Sequence, residues 1–188
     1  MDISVDVTTL PAERALLNAN SGVDDGDALR IGGMQQAYPN LIQVPEKILD
    51  ADFVAYAARP GIALPGGWPA LKPYVVAYAV GYKIFDANVK EAVEITRTRS
   101  IDELFPLLAL GRADVVLVDR WQGNWIARHD GYRPTLIEPP LAQVSMYIYL
   151  NRKHAALVPE LARAMAAMKS DGTYRKLFEQ HLVPYDLP

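Results

Sequence analysis

Hydrophobic positions along the chain alternate between two periods, and the switches mark out the elements. Period-two or unbroken apolar runs appear in ISVDVTTL (3–10), DALRI (27–31), LIQV (41–44), DFVAYAA (52–58), YVVAYAV (74–80) and EITRT (94–98), and again in ADVVLV (113–118), TLIEP (135–139) and SMYIYLNRK (145–153). Each reads as a strand or extended segment. Helical spacing appears between them. Pro11 opens AERALLNAN with Ala15, Leu16 and Ala19 on one face, and SGVDDG ends it. DANVKEAV (86–93), a segment from Ser100, RWQGNWIARH (120–129), HAALVPELARAMAAMKSDG (154–172) and TYRKLFEQHL (173–182) are the other predicted helices. Ser100 and Glu103 have the spacing of a capping box, and Pro106 inside that helix should bend it or shift its start. Met165 and Met168 fall on an apolar stripe and are expected in the core, as is Trp125, one turn beyond Trp121.

Strand and helix alternate most regularly between residues 74 and 139, which requires a parallel sheet with crossover helices. Ahead of that unit, RPGIALPGGWPALKP (59–73) holds four of the chain's 14 prolines and three of its 12 glycines, a linker composition. Two long extended stretches, 52–58 and 145–152, bracket an inner α/β unit, while both chain ends contribute to an outer one. The expected division is an outer lobe of residues 1–58 plus 146–188 and an inner lobe of 59–145. Two connections between lobes are the layout of a hinge.

Composition narrows the function classes. Hydrophobic residues make up 51% of 188 and charged residues 22%, enough apolar mass for a core. Lys and Arg number 19 against 22 Asp and Glu, with neither sign gathered into a long run, which argues against nucleic acid as a partner. Cysteine is absent, removing disulfides, thiolate catalysis and zinc–thiolate sites. His129, His154 and His181 lie far apart without ligand spacing, so no metal and no cofactor is expected. No apolar run approaches the roughly 20 residues needed to cross a bilayer, and the N-terminus has no signal-peptide pattern, so a soluble protein is expected.

Several segments together resemble bacterial extracellular solute-binding proteins of family 3, the substrate-binding components of ABC transporters with the type II periplasmic-binding-protein fold. They are LPAERALLNANSGVDDGDALRIGG, AYPNLIQVPEKI, LGRADVVLVD and LVPELARAMAAMKSDGTYRKLFEQHL, in that order over nearly the whole chain. The resemblance implies an α/β fold of two three-layer α/β/α lobes joined by two crossing strands. It further implies a periplasmic location, a small polar solute such as an amino acid, and a membrane permease as partner. Family members usually open with a secretion signal and a strand–helix unit ahead of the segment matching ISVDVTTLPAERAL. On this resemblance the first lobe is incomplete, unless a rearrangement or another chain, for instance in a homodimer, fills the place.

The ADVVLV run raises the question of a site, because so apolar a strand ends on Asp119, Arg120, Trp121 and Gln122. In open parallel sheets ligands bind beyond the carboxyl ends of strands. A carboxylate there can pair with a solute ammonium group, and the resembled amino-acid binders place an Asp at this position for that purpose. Equally, Asp119 with Gln122 is a D-x-x-Q helix start, an ordinary N-cap. Arg30 matches an Arg that in relatives pairs with a solute carboxylate, or it is a surface Arg neutralised by Asp24, Asp25 or Asp27. Tyr82, in Gly81-Tyr82 where many amino-acid binders carry Gly-Thr, could line the cleft or pack in the core. Trp68 and Trp121 are candidate cleft walls. No catalytic residue is assigned.

Three functions remain. The first is a binding protein closing on a polar solute by hinge motion, with no chemistry. The second is a sensor or interaction module that kept the fold and lost transport. The third is an enzyme of the periplasmic dehydratase type, which lacks an evident acid–base candidate in the sequence. The first is the expected one, and the chain is not expected to be an enzyme.

Overall fold

The structure, a computed structural model, describes residues 3–185. The described chain divides into two compact units. One contains residues 3–50 and 145–184, and the other residues 51–144 with Tyr185. The strands β3 (Leu49–Ala57) and β7 (Thr135–Asn151) carry the chain between them. β3 starts three residues earlier than its sequence pattern suggests, and TLIEP and SMYIYLNRK form one strand of 17 residues rather than two.

In the first unit, α1 (Ala12–Ser21) follows Pro11 and stops at Gly22, whose φ of 81° lets the chain turn out of the helix. Leu16 and Ala19 are its buried positions. They pack with Met34, Tyr38, Leu41 and Tyr149. The later half of β7 is flanked by two antiparallel strands, β1 (Gly26–Ile31) and β2 (Leu41–Gln43), with Gly26 opposite Leu150 and Leu41 opposite Asn151. The buried Tyr149 hydroxyl donates to the Ile31 carbonyl at 2.9 Å and accepts from the Met34 N–H at 3.2 Å, holding the IGGM turn against the sheet.

The segment ISVDVTTL does not form the predicted strand. It has no ladder partner, and Val5 and Val7 are 76% and 90% exposed, so an alternating pattern without a second strand to pair with stays unpaired. The two C-terminal helices, α5 (Val158–Ser170) and α6 (Thr173–His181), also bury no residue fully. The expectation that Met165 and Met168 are core is corrected accordingly. Met165 is half-buried and Met168 is 36% exposed, because no second layer covers that stripe among the described residues.

The second unit is a three-layer sandwich. β3 runs antiparallel to β6 (Val115–Asp119), which runs parallel to β4 (Val75–Ala79), itself parallel to β5 (Glu94–Thr98). Val115, Val116, Leu117 and Val118 are all fully buried, as their unbroken run predicts. Along β3, successive residues serve opposite faces. Val54 and Tyr56 join Leu104, Phe105, Leu108 and Ile126 on one side. Phe53 meets the ring of Phe85 edge-on, at 5.5 Å, on the other.

Helices α3 (Leu104–Ala109) and α4 (Arg120–His129) supply the first of these faces and α2 (Lys83–Asn88) the second. Helix α2 starts three residues before the predicted DANVKEAV and ends at Asn88, because Ile84 and Phe85 are the side chains with a core to enter. Ser100 makes no side-chain cap. A short 3₁₀ turn (Ile101–Glu103) precedes α3, which places Pro106 in the first helical turn, where no intrahelical N–H bond is lost.

Candidate functional site

Four of the five sequence-predicted site residues belong to the second unit, and three follow the carboxyl ends of parallel strands: Tyr82 after β4, and Asp119 and Trp121 at the end of β6. Trp68 sits in a 3₁₀ turn (Trp68–Leu71) ahead of β4. Arg30, on β1, belongs to the first unit.

Asp119 is the N-cap of α4. Its Oδ1 accepts the Gln122 N–H at 3.0 Å, the arrangement the D-x-x-Q spacing permits. The residue is only 9% exposed, and burial raises its carboxyl from an ordinary 3.8 to about 6, with backbone N–H groups of the first helical turn pulling in the opposite direction. The end of the VVLV run is therefore enclosed rather than set against bulk water, and its carboxylate takes up a proton within the mildly acidic range.

Around it stands an aromatic group. Phe53 is the β-ladder partner of Asp119. The Tyr82 ring stacks on Phe85 at 5.4 Å and 14°, and meets Phe53 edge-on at 6.4 Å. Trp68 also lies edge-on against Phe85, at 6.1 Å. The Tyr82 hydroxyl donates to Oε1 of Gln122. Tyr82, Trp68, Trp121 and Gln122 are all half-buried, so each presents part of its surface outward while the rest is held in place. The fixed polar atoms here are an amide, a phenol and a carboxylate, a set suited to hydrogen-bonding a small polar or cationic group.

Arg120, next to Asp119, is almost fully buried and takes no outward role. Its Nε donates to Asp52 on β3 at 3.1 Å and its Nη1 to Glu138 on β7 at 2.6 Å. Gln143 donates to the other oxygen of Asp52 at 2.9 Å. The first turn of α4 is thus tied to both strands that carry the chain between units.

Arg30 is engaged. Its Nε meets Asp27 at 2.6 Å and its Nη2 donates to the Ala12 carbonyl at 3.0 Å, across a bulge in which Leu29 has a φ of 58°. Trp125, expected in the core, is 43% exposed and stacks on His129 at 4.9 Å; the buried face of α4 is carried by Gly123, Asn124 and Ile126 instead. Gln122, Phe53 and Phe85 were not singled out as site residues in the sequence. Only Gln122 left a signal there, through its spacing from Asp119.

No protein-family sequence profile matches the chain. An uncharacterised protein of Shewanella oneidensis is 23% identical over 178 residues, covering 91% of this chain and 67% of that protein. Among solved structures, an ancestral arginine-binding protein bound to glutamine superposes with a TM-score of 0.80 at 17% identity, over 95% of this chain and 80% of that one. A binding component of an ABC transporter from Wolinella succinogenes, complexed with lysine, gives 0.77 at 14% identity, over 96% and 79%. The ancestral amino-acid-binding protein AncCDT-1, a precursor of cyclohexadienyl dehydratase, gives 0.74 at 15% identity, over 96% and 78%. The chain shares the two-unit α/β fold of these solute-binding proteins.

Proposed function

We propose that this chain is the solute-binding component of a bacterial ABC-type uptake system, working in the periplasm with a membrane permease. It captures a small polar solute of the amino-acid class by hinge closure about β3 and β7. The observation that carries the proposal is the fold, shared over some 95% of the chain with proteins that bind arginine, lysine or glutamine. The polar and aromatic side chains after β4 and β6 support it. In this reading the Asp119 carboxylate receives the solute ammonium group, as a charge-assisted bond. Tyr82, Trp68 and Trp121 form apolar walls, and Arg30 turns from Asp27 to a solute carboxylate. A thermal-shift screen over amino acids, small organic acids, polyamines and sugars tests it, since a ligand that binds only the native state raises the melting point. A selective rise with one or a few amino acids supports the proposal, and a flat response across the panel counts against it.

One observation favours a second reading. A carboxyl with a pKa of about 6 at a strand end is matched to general-acid work, and one structural neighbour precedes a dehydratase. Elimination of water from a cyclohexadienyl acid by the purified chain, lost in Asp119→Asn, would establish that reading over the first.

A further inference from the structure

The aromatic group after β4 and β6 orients one further side chain, that of Gln122 in the first turn of α4. We infer that Gln122 is a specificity-determining residue: its carboxamide N–H pair reads an oxygen acceptor that the solute carries close to its ammonium group. The site then selects amino acids over the amines that lack their carboxylate. The inference rests on the solute-binding reading and on Asp119 as the receiver of the ammonium group.

Orientation is the first argument. The Tyr82 hydroxyl donates to Oε1 of Gln122, and a phenol, whose oxygen shares its lone pair with the ring, is a better donor than acceptor. The Tyr82 ring is pinned by stacking on Phe85 at 5.4 Å and by its edge-on contact with Phe53 at 6.4 Å, which fixes where that hydroxyl stands. The main chain is fixed too, because the Gln122 N–H is bonded to Asp119 at 3.0 Å. With its oxygen taken and its root held, the amide turns its nitrogen away from Tyr82.

Availability is the second. Gln122 Nε2 makes no hydrogen bond among the described residues, and among them no buried side-chain nitrogen or oxygen lacks a partner, so this nitrogen is open to solvent. The neighbouring cations are committed. Arg120 serves Asp52 at 3.1 Å and Glu138 at 2.6 Å, and Lys83 is itself engaged. An N–H pair that exchanges water for a solute favours one that returns an acceptor, since a methylene in its place leaves the donors unpaired. Gln122 and Asp119 are three residues apart in one turn, so the two groups they read must lie close together on the solute. An α-amino acid carries its ammonium and carboxylate on one carbon; its decarboxylated amine keeps the ammonium and loses the adjacent oxygens.

Titration calorimetry of the full chain with L-arginine, L-lysine and L-glutamine, each against its decarboxylated amine (agmatine, cadaverine and 4-aminobutanamide), tests the inference. The wild type should prefer an amino acid over its amine. That preference should fall by at least about tenfold in Gln122→Ala, and further in Gln122→Glu, whose carboxylate repels that of the solute. Both variants keep the main-chain N–H that Asp119 caps, and melting curves check that they fold. Tyr82→Phe, which frees the amide to rotate, should lower the preference by about threefold. A wild type that binds the amines as tightly as the amino acids, or a preference unchanged in either Gln122 variant, overturns the inference alone. A wild type that binds none of these ligands overturns it together with the solute-binding account.

Discussion

The Asp119 carboxylate accepts the Gln122 main-chain N–H at 3.0 Å, and that one bond fixes both the start of α4 and the residue whose side chain Tyr82 reaches. A residue chosen by the sequence for ligand binding is therefore also the structural origin of the helix beside it. The cap and the ligand contact use the same carboxylate, one oxygen of which is committed to Gln122.

This arrangement sets a pH dependence. The Asp119 carboxyl is raised from 3.8 to about 6 in the folded chain by burial, so the folded state binds a proton more tightly than the unfolded one. Its contribution to stability is then fully present below about pH 4 and is lost as the pH rises through about 6. The difference between 3.8 and about 6 corresponds to at most about 3 kcal/mol. Asp119→Asn keeps an N-cap acceptor without a charge, so urea denaturation should show it losing this slope between pH 4 and 7. An unchanged slope would place the titration elsewhere.

Gly123 faces the ring of Tyr56. A β-carbon at this position would lie 2.4 Å from Cε2 and 2.6 Å from the hydroxyl, inside any van der Waals limit. Tyr56 is buried and bonded to Asn124, so it has little room to retreat. Gly123→Ala should destabilise the chain by about 1–3 kcal/mol, despite the gain in helix propensity of about 1 kcal/mol. Calorimetric melting checks this.

Removing Arg120 should be costly. Its guanidinium serves Asp52 and Glu138 while almost fully buried, although Glu138 itself is half-exposed. Arg120→Met leaves Asp52 with Gln143 alone, and a loss of about 2–3 kcal/mol is expected by urea denaturation. Adding Asp52→Asn to that variant should recover part of the loss, because the uncompensated charge is then gone.

Trp125 makes the contrasting case. With 43% of its surface exposed and His129 as its ring partner, Trp125→Ala should change stability by no more than about 0.5–1 kcal/mol, whereas a core tryptophan would cost about 3–5. A large loss would mean that this side of α4 is covered in solution.

Much of this architecture is legible in the chain because its strongest signals are local. The unbroken Val115–Val118 run, the limits of α4 and the Asp119 cap each follow from a few neighbouring residues. What stayed hidden depends on partners distant in sequence. The contact of Tyr82 with Gln122 spans 40 positions, and that of Arg120 with Asp52 spans 68. Trp125 has the spacing of a core residue, but Gly123 and Asn124 take the inner face because Tyr56 lies against them. ISVDVTTL alternates as a strand does, yet alternation specifies a face and not a partner. The helix read at DANVKEAV went to the preceding turn because Phe85 enters the aromatic group formed by Phe53, Tyr78 and Tyr82.

Calorimetric titration of the full chain with L-arginine, L-lysine and L-glutamine at pH 7.5, for the wild type and for Asp119→Ala and Arg30→Ala, tests the solute-binding account most directly. The account predicts saturable binding of at least one amino acid by the wild type, weakened by at least about tenfold in each folded variant. Wild-type affinity retained in both variants would remove these two residues from the site, and the absence of any binding would contradict the account itself.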